Sequence, residues 1–295
     1  MTSLDRLPLS RRQLVALGAG ALSAAWWSSS TAVAGETRSW TFLVLGLDTR
    51  EENADQRSDI MMISRVDEAA GTVRTLSIPR DLWVEIPGHG QHKVNAAFQI
   101  GLAESPDLNW EDAAALTIDT INRNLGLSID GTALTDMNRF PAIIDAVGGV
   151  DVNNPYELVD PGNSAVNFPA GVIHLNGEQA LVFTRSRHID TDDGRVMRQH
   201  LVLEGLLRRM QDPDIYARLP ELIASLRGAV RSDLGVAMQL QLIALLPSIS
   251  AEDLAFTNIA DQCWAGWSDD GQWIYQSDWT TLPQYVQDWL DGVQG

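Results

Sequence analysis

The sequence predicts an α/β layered domain, and three observations predict it. Short apolar runs rich in β-forming residues, "SWTFLVLGLDTR", "DIMMISRVD" and "TVRTLSIPRD", follow one another between residues 39 and 81. Segments with apolar residues three and four apart dominate from Trp110 onward. A strand-like run, "DLAFTNIAD", then returns among the last helices. Strands alternating with helices bury a sheet under helices.

Each element has its own warrant. The first strand ends at Asp48, the second begins after Asp59, and the third ends at Arg80, all at turn signals. "WVEIP" extends this region toward the Gly88-His89-Gly90 turn. "WEDAAALTIDTINRNLG" is helical, with acids at its start and Gly126 at its end. "RFPAIIDAVGG" is a short helix stopped by Gly148-Gly149, and "GVDVNN" is a strand. "NGEQALVFTRSR" is a helix that delivers Arg185 and Arg187 near its end. An Asp-rich turn leads into the long helix "GRVMRQHLVLEGLLRRMQ". "DIYARLPELIASLRGAV" and "VAMQLQLIALLPSI" are two more helices, and "LPQYVQDWLDGV" closes the chain. No repeat, low-complexity segment or linker follows residue 40, so residues 40–295 are expected to form one domain.

Composition narrows the function. The formal net charge is -18, which argues against a general nucleic-acid binder. Positive charge concentrated locally still suits an anion. Lys93 is the sole lysine; the other twenty of the 21 Lys and Arg residues are arginines, an excess for which codon bias is the plainer explanation, although the planar fork of arginine also matches phosphate oxygens in pairs. Cys263 stands alone, so no internal disulfide forms. His89 and His92 lack zinc-site company and read as a polar loop. Neither a phosphate-binding Walker loop nor a Gly-x-Ser-x-Gly elbow occurs.

Residues 1–34 read as an address. Arg11 and Arg12 precede an apolar run from Leu14 to Trp27, then serines and Ala32-Val33-Ala34. That order is a twin-arginine-like export signal, or an N-terminal anchor if it is retained. The domain is therefore expected outside the cytoplasm, at the outer face of the cytoplasmic membrane or in the periplasm or cell wall.

Charged residues gather at strand ends, where open α/β sheets bind ligands. Asp48 and Arg50 follow the first strand, Arg57-Ser58-Asp59 precedes the second, and Arg80-Asp81 follows the third. Asp48 and Asp59 suit a hard cation that takes one or two carboxylates plus phosphate oxygens. Turn and capping chemistry is the competing explanation for the aspartates taken alone. "TRSRHIDTDDGRVMRQH" adds Arg185, Arg187, Arg195 and Arg198. Their partner is either the protein's own carboxylates or an external anion.

In order, "LGLDTR", "RSDIMMISRV", "LSIPRDLWVEIPGHGQHKVNAAF", "DAVGGVDV", "LNGEQALVFTRSR" and "DDGRVMRQH" resemble the LytR-CpsA-Psr family from about Thr41 to about Met210. The resemblance implies a single three-layer α/β/α domain with a central mixed sheet. It implies a phosphotransferase that moves a glycopolymer, as a glycosyl phosphate, from a polyprenyl-pyrophosphate carrier to a peptidoglycan acceptor. It implies Mg²⁺, with Mn²⁺ as a substitute, held by Asp48 and Asp59. Catalysis then falls to Asp48, Asp59, Arg80, Arg185 and Arg187. Pyrophosphate contacts fall to Arg57, Arg80, Lys93, Arg185, Arg187, Arg195, Arg198 and Gln199, with Asn95 as contact or support. Arg198 has a second reading, a salt bridge to Asp190, Asp192 or Asp193. The membrane surface is reached through the lipid substrate or an anchor. A non-catalytic carrier of lipid-linked saccharide and a lipid pyrophosphatase use the same groups. The segment after Asn95-Ala-Ala-Phe98 departs from the family pattern and is expected as a loop over the site.

Two features are expected to be structural. Trp264, Trp267, Trp273, Trp279 and Trp289 crowd the C-terminal part and are expected to pack, with sugar stacking as the alternative. The stripes Leu201, Leu203, Leu206, Leu207 and Leu219, Leu222, Ile223, Leu226 suit either core or a lipid channel.

Overall fold

A computed structural model describes residues 38–48, 56–186, 192–226, 228–250 and 253–293. The signal expected at residues 1–34 lies outside them. Residues 38–295 form one compact unit.

Strands β1 (Ser39–Asp48), β2 (Arg57–Asp67) and β3 (Thr72–Ser77) form an antiparallel meander. Alternation sends Leu43, Leu45 and Leu47 to one core and Phe42 to another. The hairpin of β4 (Trp83–Ile86) and β5 (Gly90–Lys93) follows. The segment expected as a loop is a helix, α1 (Ala96–Glu104), because Ala97, Phe98 and Gly101 bury themselves in the core. Helix α2 (Trp110–Leu125) starts where the Asn109 side chain accepts the Glu111 N–H and ends at left-handed Gly126. Its buried Ala113, Ala114, Thr117, Ile121 and Leu125 keep the helical spacing.

Strand β6 (Gly131–Asp136) then enters the sheet. Helix α3 (Phe140–Ala146) precedes β7 (Val150–Asn154), β8 (Leu158–Asp160), β9 (Asn163–Phe168) and β10 (Gly171–Leu175). These four strands make two small pairs, β7–β10 and β8–β9. Helix α4 (Gly177–Arg185) begins in a capping box between Asn176 and Gln179. Gly177 is required there: a Cβ would lie 2.2 Å from the Pro141 carbonyl oxygen. Helix α5 (Asp192–Gln211) is the long one.

The next expected helix is broken in two, α6 (Pro213–Tyr216) and α7 (Leu219–Ser225). Pro220 has no N–H and its ring clashes with a carbonyl one turn back, so the helix restarts around it. Strand β11 (Val230–Ser232), helix α8 (Val236–Leu245), strands β12 (Leu254–Asn258), β13 (Cys263–Trp267) and β14 (Trp273–Ser277), and helix α9 (Leu282–Leu290) complete the order.

The central sheet has six strands in the order β11-β6-β1-β2-β3-β12. It is mixed: β6 runs parallel to β1 and β12 parallel to β3, while the other pairs are antiparallel. One face packs on α1, α2 and α9 through Phe98, Ile121 and Trp289. The other packs Phe42 and Val73 against Met238 and Leu242 of α8. Helices on both faces give the α/β/α layering. A third apolar cluster joins α3 to α7 with β7–β10, and it takes in Leu201, Leu206, Leu207, Leu219 and Leu222 of the two stripes. Among the described residues no helix is long and apolar enough to cross a membrane.

Candidate active site at the sheet edge

One edge of the sheet collects the charged residues. The end of β1, the start of β2, and the ends of β3 and β12 meet there, as the register requires: Asp48 pairs with Arg57, Met62 with Ser77, and Ser77 with Asn258. The β1–β2 register slips at this edge. Gly46 pairs with Ile60 and Leu47 with Ser58, so Asp59 is the extra residue of a β-bulge. A bulge bends its strand and re-aims its side chain. Here it sends Asp59 to Arg80.

Arg80 lies three residues beyond β3 and sits between two carboxylates. Its Nη1 donates to Asp59 Oδ2 at 2.9 Å and its Nε to Asp81 Oδ2 at 3.3 Å. Lys93 Nζ reaches the other oxygen of Asp81 at 2.7 Å. Burial disfavours the charge on Arg80, but Asp59 and Asp81 outweigh it and raise the pKa above the ordinary arginine value. The four side chains leave 12% to 27% of their surface exposed, so salt screens them less than a surface pair. Asn95 is buried beside them and its backbone N–H donates to the Arg80 carbonyl at 3.2 Å.

Helix α5 brings the second group of arginines. Asp193 accepts from Asn258 Nδ2 at 3.2 Å, and His200 Nε2 bonds Ser77 Oγ at 2.8 Å. These contacts lay the first turns of α5, which carry Arg195, Arg198 and Gln199, against the ends of β3 and β12. Burial alone pushes the His200 pKa down to about 4, so the ring is neutral at pH 7. It stacks on Phe256 with centroids 5.1 Å apart.

Arg198 has no exposed surface. Its Nε donates to the Phe183 carbonyl at 2.9 Å and its Nη2 to the Ser186 carbonyl at 2.6 Å. It ties α5 to the end of α4, where cations also meet the negative end of the helix dipole. Arg185, the last residue of α4, is exposed beside this junction. Arg195 is buried on α5, Gln199 half-buried, and Arg57 exposed at the start of β2.

The structure thus brings together Asp59, Arg80, Lys93 and Asn95, and lays α5 along the same edge. Arg50, Arg187 and Asp190 lie outside the described residues, as do the side chains of Asp48 and Asp192. Three participants were not singled out from sequence as site residues. Asp81 is the anchor shared by Arg80 and Lys93; its place in Ile-Pro-Arg-Asp was the available signal. Ser58 is buried, and among the described residues its hydroxyl has no hydrogen-bond partner. Asn258 is a placement contact with no local sequence signal.

Among the described residues no three His, Cys, Asp or Glu gather into a metal cluster. A magnesium ion needs no such cluster, since it takes one or two carboxylates and keeps phosphate or water oxygens. Asp59 fits that donor set: a carboxylate offers about four lone-pair positions, and Arg80 does not exhaust them.

The LytR_cpsA_psr family model matches residues 23–288. The chain belongs to the LytR-CpsA-Psr family. Family membership agrees with the named relatives. A polyisoprenyl-teichoic acid–peptidoglycan teichoic acid transferase TagU of Bacillus cereus is 34% identical over 197 residues, covering 66% of this chain and 60% of that protein. A TagU of Bacillus anthracis is 37% identical over 172 residues, covering 57% and 52%. The chain therefore spans about half to three-fifths of these relatives' length. Among solved structures, B. subtilis TagV superposes with a TM-score of 0.70 at 24% identity, covering 87% of this chain and 99% of that one. TagT bound to LIIa-WTA superposes at 0.68 with 21% identity, covering 89% and 95%. At those identities the likeness establishes the fold of this family member, including its mixed sheet.

Proposed function

We propose that the protein is a Mg²⁺-dependent phosphotransferase that moves a glycopolymer, as a glycosyl phosphate, from a polyprenyl-pyrophosphate carrier to a peptidoglycan sugar hydroxyl. The observation that carries this reading is the Arg80 bridge between Asp59 and Asp81, set at the sheet edge of a chain 34% identical over 197 residues to a named teichoic acid transferase. The protein acts outside the cytoplasm, at the membrane surface where a polyprenyl carrier is held.

The acceptor hydroxyl oxygen forms a bond to the sugar-proximal phosphorus. The bond from that phosphorus to the bridging oxygen breaks, and polyprenyl phosphate leaves with the electron pair. The hydroxyl proton passes to a nearby base or to water. Phosphoryl transfer of this kind needs positioning and charge neutralisation more than covalent help. Asp48 and Asp59 would hold Mg²⁺, which supplies charge stabilisation to the phosphate oxygens when bound. Arg80, fixed by two carboxylates, presents a guanidinium that need not reorganise during reaction. Arg57, Lys93, Arg185, Arg187, Arg195 and Gln199 supply further pyrophosphate contacts. Arg198 supports them by holding α5 against α4.

The test is binding of a short polyprenyl pyrophosphate to the full chain, with and without Mg²⁺. Binding strengthened by Mg²⁺ and lost in Arg185→Ala/Arg187→Ala supports the reading. Absence of binding by the folded wild-type chain, for this lipid and for a glycan-bearing one, contradicts it.

A further inference from the structure

Residues of two β-hairpins that the chemistry above does not use line one cleft. The hairpins are β4–β5 and β13–β14, and the cleft holds about 430 Å³. That lies within the usual range for small-ligand pockets, about 300–1,000 Å³. Its walls include Trp83, Trp264, Trp267 and Trp279, with Gln91 and Asp269 among the polar groups.

The tryptophans do not all pack as expected. Trp289 is 7% exposed and belongs to the core, but Trp264 and Trp267 are 51% and 69% exposed. An indole is a large apolar surface, and its burial is among the main gains of packing. Leaving two of them exposed in the lining of one cleft leaves that gain for a ligand.

The rings are also held in place. Trp83 Nε1 donates to Gln91 Oε1 at 3.1 Å, and Trp264 Nε1 donates to Gln276 Oε1 at 3.0 Å. An indole N–H only donates, so each glutamine turns its oxygen inward and keeps its NH₂ as a donor. The turn joining β13 to β14 is fixed by Asp270, which accepts from Ser268 and, at 2.7 Å, from Gln272. Gly271 there takes φ +81°, a left-handed conformation that suits glycine. A site ordered before its ligand arrives loses less entropy on binding.

Flat indole faces beside amides, hydroxyls and carboxylates match one ligand chemistry. The C–H faces of a sugar ring are weakly positive and stack on the negative π face. Its hydroxyls donate to carboxylates and accept from amide N–H. Asp269 and Asp270 repel phosphate, which disfavours both a phosphate-rich polymer and an anionic membrane surface. The occupant is therefore an uncharged saccharide.

The cleft adjoins the ionic cluster. Trp83 pairs across the hairpin with Lys93, whose Nζ holds Asp81. The Asp81 carbonyl accepts the Tyr275 N–H of β14 at 2.9 Å, and Leu82 bridges to Tyr275. Asp81 thus links the ionic cluster to β14, the strand whose Gln276 and Ser277 line the cleft. We infer that the cleft is a saccharide subsite that holds the uncharged glycan backbone of the acceptor next to the phosphate-binding edge. The acceptor role rests on the transfer reading; the saccharide binding does not.

The experiment uses the full chain labelled with ¹⁵N and follows the indole N–H signals, assigned by single Trp→Phe substitutions. The probe is N-acetylchitotetraose, with phosphatidylglycerol vesicles as a separate arm and inorganic pyrophosphate followed by ³¹P in the same samples. The expected result is saturable movement of the Trp83, Trp264 and Trp267 signals while Trp289 stays still. Trp264→Ala/Trp267→Ala is expected to weaken binding at least tenfold with an unchanged urea midpoint. Trp267→Ala alone removes the most exposed ring and guards against loss of folding. Cleft signals that stay still in a folded chain, shifts that survive both variants, or a response to vesicles alone would overturn the proposal. Pyrophosphate binding that persists beside a silent cleft would sink the subsite and leave the transfer reading standing. Saccharide in the cleft without pyrophosphate binding would support the saccharide site and overturn its acceptor role.

Discussion

Asp59 and Arg80 are 21 positions apart in the chain, yet Asp59 Oδ2 and Arg80 Nη1 lie 2.9 Å apart. The β-bulge makes that contact, because Asp59 is the residue without a partner in the β1–β2 register. Asp59→Asn keeps the shape and removes the charge. Transfer activity is expected to fall at least 100-fold, the scale of losing one preorganised electrostatic group. Stability is expected to fall by only about 1–2 kcal/mol, because the amide oxygen still accepts from Arg80. Urea unfolding beside a transfer assay separates the two effects.

Arg198 and Arg185 are expected to behave in opposite ways. Arg198→Met leaves the buried Phe183 carbonyl and the part-buried Ser186 carbonyl without their donor. The expected cost is about 2–5 kcal/mol. Arg198→Lys recovers only part of it, since one ammonium lacks the planar fork. Arg185→Ala is at an exposed position and should change stability by less than about 0.5 kcal/mol. Its loss should appear in pyrophosphate binding. Urea midpoints for the three variants, with ligand binding measured on each, check this division.

His200 makes the fold sensitive to acid. Its folded pKa, about 4, lies below the ordinary histidine value of 6.5. The unfolded chain therefore binds the proton more readily, and the stabilisation of the neutral ring is complete above pH 6.5. It is lost as pH falls through 6.5 toward 4, by on the order of 3 kcal/mol in total. His200→Gln should flatten this part of the stability profile. Urea unfolding between pH 7 and pH 4.5 measures it; equal slopes in wild type and variant would rule the effect out.

Helix periodicity made α2, α4, α5 and α9 legible, because each buries one regular face, while β-forming residues between turn signals made the meander and β12 legible. Helix α1 was not, since Ala97, Phe98 and Gly101 form a helix only through their contact with the core. Pro220 was visible, but its effect was outweighed by the apolar spacing around it. Strands β6, β8 to β11, β13 and β14 are short and lack the sustained apolar run that marks β1 and β2. At the site, the residue types and their order singled out Asp59, Arg80 and Lys93, which the fold brings together around Asp81. The sequence did not show which carboxylate each arginine takes. That depends on a register slip at Asp59 and on the depth of Arg198, both products of tertiary packing. The tryptophans were not sorted, although Trp289 keeps helical spacing with Leu282 and Val286 while Trp267 stands before the Ser-Asp-Asp-Gly turn.

The most direct measurement gives the purified full chain a polyprenyl-pyrophosphate-linked disaccharide, an N-acetylated peptidoglycan oligosaccharide and Mg²⁺, and reads the products by mass. The expected product is the acceptor carrying one glycosyl phosphate, formed in step with free polyprenyl phosphate and absent with Asp59→Asn. Free glycosyl phosphate in place of the joined product would make the protein a hydrolase. No turnover by a folded chain that binds the lipid would make it a carrier, and either result would contradict transfer.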